Sequence, residues 1–253
     1  EYLDSSMQAY IKSMRDQAQN SRLLLAEVRS GLRGVGRYFV RKYPKDPAVP
    51  GIRFSVAQSY YDERDFRRAL RALKFFIKKH PTNSKVNTAA NLILDALNQK
   101  EDWKGIVREG KALVANEQIK DSGLKEQIRQ IVQQAELKQV QAASGDFSSA
   151  SYASNLLKFA SKHKGSSLGD SALYEAFLAF KAQEDPRAYE SGEQLIVQHG
   201  TSKYAKEVVT QMGQMALTTA DFRKAALYFE LYQEKYPSDP DAKSLLANAA
   251  NMR

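Results

Sequence analysis

Residues 213–240, GQMALTTADFRKAALYFELYQEKYPSDP, decide the fold. Ala225, Phe229 and Tyr232 are spaced i, i+4, i+7, which puts them on one face of a helix. That helix begins behind Asp221-Phe222 and stops at Tyr236-Pro237, because proline cannot continue it. A second amphipathic stretch, from about Tyr204 to Leu217, precedes it. The segment therefore reads as helix, short turn, helix, stop. Residues 57–84, AQSYYDERDFRRALRALKFFIKKHPTNS, repeat this layout, with Ala69, Leu73 and Phe76 as the inner face of the second helix.

Working outward, an acidic-aromatic pair recurs at Asp65-Phe66, Asp102-Trp103, Asp146-Phe147 and Asp221-Phe222, with Asp185-Pro186 as a variant. The second helices end alike, at His80-Pro81, Ala115-Asn116, His163-Lys164, His199-Gly200 and Tyr236-Pro237. Self-similarity at a fixed period is the mark of stacked supersecondary units. The expected organisation is a basic N-terminal helical segment or cap over 1–48 and a repeat domain over 49–253. Its units are 50–83, 84–120, 121–166, 167–201 and 202–240, followed by a C-terminal helix, 241–253. In the third unit the first helix is expected to be long, from about Leu124 to Ala143. Leu3, Met7, Tyr10, Ile11 and Met14 form one apolar stripe in the N-terminal segment, and Leu24, Val28, Leu32 and Val35 a second.

Composition limits the function classes. The chain has 253 residues, 26% of them charged, with seven prolines and no cysteine. Disulfides, zinc-thiolate sites and cysteine nucleophiles are thereby excluded. No apolar run approaches the ~20 residues that span a bilayer. The chain opens at Glu1 and is expected to be a trimmed or mature fragment, so the absence of a leader says nothing about export. The net charge of +9 is unevenly placed. The first 81 residues hold 17 Lys/Arg against 8 Asp/Glu, and the rest hold 21 of each. Such asymmetry points to an acidic partner or an anionic surface for that end.

The repeat resembles the tetratricopeptide (TPR) family. Its pattern of about 34 residues carries small side chains where this chain has Ala57, Ala69, Gly213 and Ala225, bulky ones at Tyr60, Leu73 and Phe229, and proline at Pro81 and Pro237. Ala216 stands where a bulky residue belongs. The second unit departs with Leu94, Ile106 and Gly110, the third keeps Ala150, and the fourth matches in length and helical pattern alone. The resemblance implies an all-α fold, a right-handed α-solenoid of about five helix-turn-helix repeats, and a non-catalytic scaffold for proteins or peptides without a cofactor. It also implies a concave face lined by first-helix residues: Phe54, Gln58 and Tyr61; Thr88, Asn91, Asp95 and Asn98; Glu207, Thr210, Gln214 and Leu217. The Lys/Asn carboxylate clamp of some members has no counterpart here. The endings FIKKHPTNSK (76–85) and YQEKYPSDPDA (232–242) look like those of bacterial envelope TPR proteins. They suggest a periplasmic or envelope complex, with a cytoplasmic polarity or motility scaffold as the alternative.

Arg29, Arg33, Arg37 and Arg41 recur at i, i+4, and Arg64, Arg67, Arg68 and Arg71 crowd the second helix of the first unit. They read either as a solvated face or as a docking surface for an acidic partner. On the second reading, reversing Arg33, Arg37, Arg68 and Arg71 to Glu weakens that partner without unfolding the chain. Nucleic acid or an anionic membrane is the rival occupant of this end, although nucleic-acid sites usually interleave exposed aromatics with basic residues. His80, His163 and His199 fall at equivalent helix ends in different units, suited to the negative end of a helix dipole rather than to one metal. Gly31, Gly34 and Gly36 form no dinucleotide fingerprint and read as a helix break or a close helix crossing. Asp62-Glu63 and Glu184-Asp185 read as turn and cap acids.

Overall fold

A computed structural model describes Ala9, Ser13 and residues 22–143, 147, 149–198, 200 and 202–252. Leu3, Met7, Tyr10, Ile11 and Met14, the side chain of Leu24, Asp146 and His199 lie outside the described residues. Among the described residues twelve helices follow one another: α1 (Arg22–Lys42), α2 (Val49–Asp62), α3 (Phe66–Lys79), α4 (Val86–Asn98), α5 (Trp103–Ala115), α6 (Ser122–Ala143), α7 (Ala150–Lys162), α8 (Ser167–Ala182), α9 (Arg187–Gln198), α10 (Ala205–Thr218), α11 (Phe222–Lys235) and α12 (Ala242–Asn251). No strand occurs among the described residues. The fold is all-α, built from consecutive helix-turn-helix hairpins. The chain divides into two compact units, Glu1–Val132 and Gln133–Arg253, the division falling inside α6.

Within a hairpin, one hydrogen-bonded corner turns the chain. Arg64, Glu101, Glu184 and Ala220 all have positive φ, between 53° and 60°. Each follows a first helix and precedes the aspartate of the recurring pair. At the first corner, Arg64 N–H donates to Tyr61 O at 2.8 Å and Asp65 N–H to Tyr60 O at 2.9 Å, the two bonds of a Schellman stop. The same pair of bonds recurs before Asp102, Asp185 and Asp221. The aspartate then caps the next helix, accepting from Arg68 N–H at 3.1 Å, Gly105 N–H at 2.8 Å and Lys224 N–H at 3.0 Å. Two adjacent residues thus end one helix and start the next. In the third hairpin Ser149 caps α7 through Tyr152 N–H at 3.2 Å.

Sequence neighbours pack on one another. In the first unit α1 lies on α2, α2 on α3, α3 on α4 and α4 on α5, and the first helices α2 and α4 also touch. In the second unit the same succession runs from α7 to α12. The expected small residues Ala57, Ala69 and Ala225 are fully enclosed at these contacts, and so is Ala216, which stands where a bulky residue was expected. Gly213 faces Phe229 so closely that an added Cβ would stand 2.5 Å from its ring. Gly36 marks a helix crossing, not a break: α1 continues through it, and a Cβ there would stand 2.8 Å from Val56. The departures in the second unit compensate one another. Leu94 and Ile106 are buried, and Gly110 leaves the space that Val132 and Ile128 occupy. Large and small side chains trade places, which close-packed interiors tolerate.

The second unit's core runs from Leu137 through Leu156, Phe177, Phe180, Leu195 and Val208 to Tyr232. Each such side chain contributes about 1.5–3 kcal/mol when fully buried. Gly213→Val should therefore cost roughly 1–3 kcal/mol through overpacking against Phe229, and Asp102→Ala about 1 kcal/mol through loss of the cap. Chemical denaturation followed by circular dichroism measures both.

Candidate partner-binding surfaces

Polar side chains join the hairpins at a separation of one repeat. In the first unit, Tyr61 donates to Asp95, Asn87 Nδ2 donates to Asp121 Oδ2 at 2.6 Å, and Lys74 Nζ donates to Glu109 Oε1 at 3.2 Å. In the second, Gln141 donates to Glu175 at 3.1 Å, Tyr174 to Glu207 at 2.5 Å, Tyr228 to Glu193 at 2.8 Å and Lys206 to Asp239. These pairs are 33 to 35 residues apart in sequence, even across hairpins whose apolar pattern has drifted. Burial, reinforced by Glu207, pushes the Tyr174 hydroxyl up to about 12, and burial with Glu175 raises Tyr152 similarly. Both hydroxyls stay protonated donors at neutral pH.

This network sorts the first-helix positions. Tyr61 and Asp95 are bonded to each other and to Gln99. Glu207 is held by Tyr174 and Gln211, and Thr210 Oγ1 donates to Lys206 O at 3.3 Å. Leu217 packs beside Ala216 and Phe229. Phe54, expected on the binding face, is only 6% exposed and lies 5.5 Å from the Phe76 ring, so it belongs to the core. Gln58, Thr88, Asn91, Asn98 and Gln214 remain exposed. On α4, Thr88, Asn91, Asp95 and Asn98 follow i, i+3, i+7, i+10 and form one polar row.

The basic residues separate into two groups. Arg33 Nη1 lies 2.7 Å from Glu63 Oε2, an ion pair by distance, and its guanidinium covers the Tyr60 ring at 5.0 Å. Arg29 approaches Asp62 at 3.9 Å. Burial raises the Asp62 carboxyl, with Arg29 opposing it. The acids Asp62 and Glu63 thus hold α1 to the end of α2. Arg68 pairs with its own cap, Asp65, at 3.2 Å, and Arg64 occupies the left-handed corner position. Arg37 donates from Nε to Arg33 O at 3.0 Å and is otherwise exposed, as are Arg41, Arg67 and Arg71. The four-residue reversal expected from sequence to test docking alone would therefore also remove a structural ion pair at Arg33.

His80 caps α3 against Phe76, 5.6 Å between rings, and burial with Arg53 and Lys79 nearby lowers its pKa. His163 stands at the end of α7, with Nε2 2.8 Å from Glu136 Oε2 and its ring 4.4 Å from Phe159. Sequence reasoning missed Glu136, because it lies 27 residues earlier on a different helix. No group of three or more His, Cys, Asp or Glu placed to hold a metal ion occurs among the described residues, and none of their helices is long and apolar enough to cross a membrane.

No known protein family matches the chain, and no curated protein matches its sequence. Among solved structures, it is similar to a tetratricopeptide repeat protein from Parabacteroides merdae, with 15% sequence identity, 98% of this chain and 100% of that chain covered, and a TM-score of 0.30.

The division of the arginines is measurable. Arg33→Glu should lower stability by more than about 1 kcal/mol, since it sets two carboxylates together in a partly buried place. Arg41→Glu should stay within about 0.5 kcal/mol of the parent protein. Urea midpoints at constant slope report the difference.

Proposed function

We propose that the chain is a non-catalytic scaffold that docks partner proteins or peptides on the exposed rows of its first helices. The observation that carries this reading is the exposed polar row on α4. Thr88, Asn91 and Asn98 stand exposed around Asp95, which is already locked to Tyr61 and Gln99. Amide and hydroxyl groups on a rigid helix can bond a partner's backbone while losing little conformational entropy. The neighbouring interlocked pairs keep that helix from shifting when the partner arrives. Placement in a bacterial envelope complex, periplasmic rather than cytoplasmic, is part of the proposal. It is supported by the likeness of the helix endings at 76–85 and 232–242 to envelope repeat proteins.

A photo-crosslinking residue placed at Asn91 or Asn98 in the source cell should capture a discrete protein. The same residue at Lys104, an exposed position on the second helix α5, should not. Asn91→Arg with Asn98→Arg should then weaken the captured partner at least about tenfold, with the melting curve unchanged. Capture from Lys104 alone would overturn the reading. Fractionation of the same cells tests the compartment.

A further inference from the structure

The charge excess of the first 81 residues has a structural focus. Between α1, α2 and α3 lies a cleft of about 270 Å³. Its apolar lining includes Val40, Val56 and Phe75, and its charged groups are Arg37, Arg41 and Arg53. No carboxylate lines it among the described residues. The contrast with a second cleft, between α3, α4 and α5, is informative: there Lys74 is neutralised by Glu109 at 3.2 Å. Phe75 is 46% exposed although its neighbour Phe76 is fully buried. The Arg53 guanidinium lies over the Phe75 ring at 5.0 Å, with Lys79 at 5.9 Å, and Arg53 Nε is buried without a hydrogen-bond partner among the described residues.

We propose that this cleft takes an acidic peptide segment of a partner protein, with one bulky apolar side chain against Phe75 and flanking carboxylates on Arg37, Arg41 and Arg53. The proposal rests on the docking reading above and assigns it a second, chemically distinct surface. Three considerations select this occupant. All three lining cations are arginines, whose planar forks match carboxylates bidentately. The volume falls below the roughly 300–1,000 Å³ of small-molecule sites, which suits a side-chain anchor. A nucleic acid leaves the apolar lining unused, because a phosphodiester backbone gains nothing from Val40 and Val56.

Short dye-labelled peptides carrying glutamates on both sides of a single Leu or Phe test this by fluorescence anisotropy with the full chain. Saturable binding is expected, weaker as salt rises. Arg41→Glu and Phe75→Ser, both at exposed positions, should each weaken it by roughly tenfold, as should replacing the peptide's apolar residue by Ser. Arg108→Glu, an exposed arginine on α5, should leave it unchanged, and circular dichroism melts confirm that each variant is folded. Absence of saturable binding, indifference to Phe75→Ser, or equal loss in Arg108→Glu would overturn the proposal. So would tighter binding of a single-stranded oligonucleotide or an anionic vesicle with the same dependence on Arg41. If Arg41→Glu and Phe75→Ser leave peptide binding intact while Asn91 still captures its partner, the cleft proposal fails alone. If Asn91 captures nothing while peptide binding keeps both dependences, the first-helix reading fails alone.

Discussion

The structure depends on the corner at which four of its helix pairs turn. A single left-handed residue closes the first helix, and the aspartate after it opens the second. Helix ends leave backbone donors and acceptors without partners, and burying them unsatisfied would be costly. Here two consecutive residues satisfy both ends, so the connection stays short enough for the two helices to lie against each other. With the direction of reversal held by backbone hydrogen bonds, the apolar faces of the pair meet in a defined register. That is why small residues such as Ala57, Ala69 and Gly213 can be demanded at particular places.

The stack needs more than apolar fit, because one hairpin cannot enclose its own core. Side-chain bonds that reach one repeat ahead supply direction as well as adhesion. Tyr61 with Asp95, Tyr174 with Glu207 and Glu193 with Tyr228 pair a phenol with a carboxylate across neighbouring hairpins. A hydroxyl kept neutral by its surroundings donates to a carboxylate oxygen, a strong combination in a partly buried place. These bonds also consume polar groups that would otherwise be free to bind a partner. On our reading, the surface left for docking is what the stacking network does not use, namely the amide row on α4 and the arginine cleft beside Phe75.

The helical repeat was legible in the chain because periodicity and stop signals are local. Asp65, Asp102 and Asp221 announced their caps, Pro81 and Pro237 followed their helix ends, and the long helix expected from about Leu124 is Ser122–Ala143. The left-handed residues escaped notice because none is glycine; Arg64, Glu101, Glu184 and Ala220 share no side-chain chemistry. The expected binding face was legible only in part. The family resemblance implied that Phe54 lines it with Gln58, but whether a position on a helix is core or surface depends on what packs above it, and Phe76 does.

The residues alone determined an all-α chain of paired helices, their approximate ends, and a positive charge gathered in the first third. These follow from the period of apolar side chains, from residues that cannot continue a helix, and from counting. Tertiary structure alone decided which arginines are free. Arg29, Arg33, Arg37 and Arg41 are equivalent by spacing, yet two face the acids at the end of α2 and two border the cleft. The physical reason is that an ion pair is set by distance in space, and Arg33 and Glu63, 30 positions apart, close to 2.7 Å only once α1 has packed on α2.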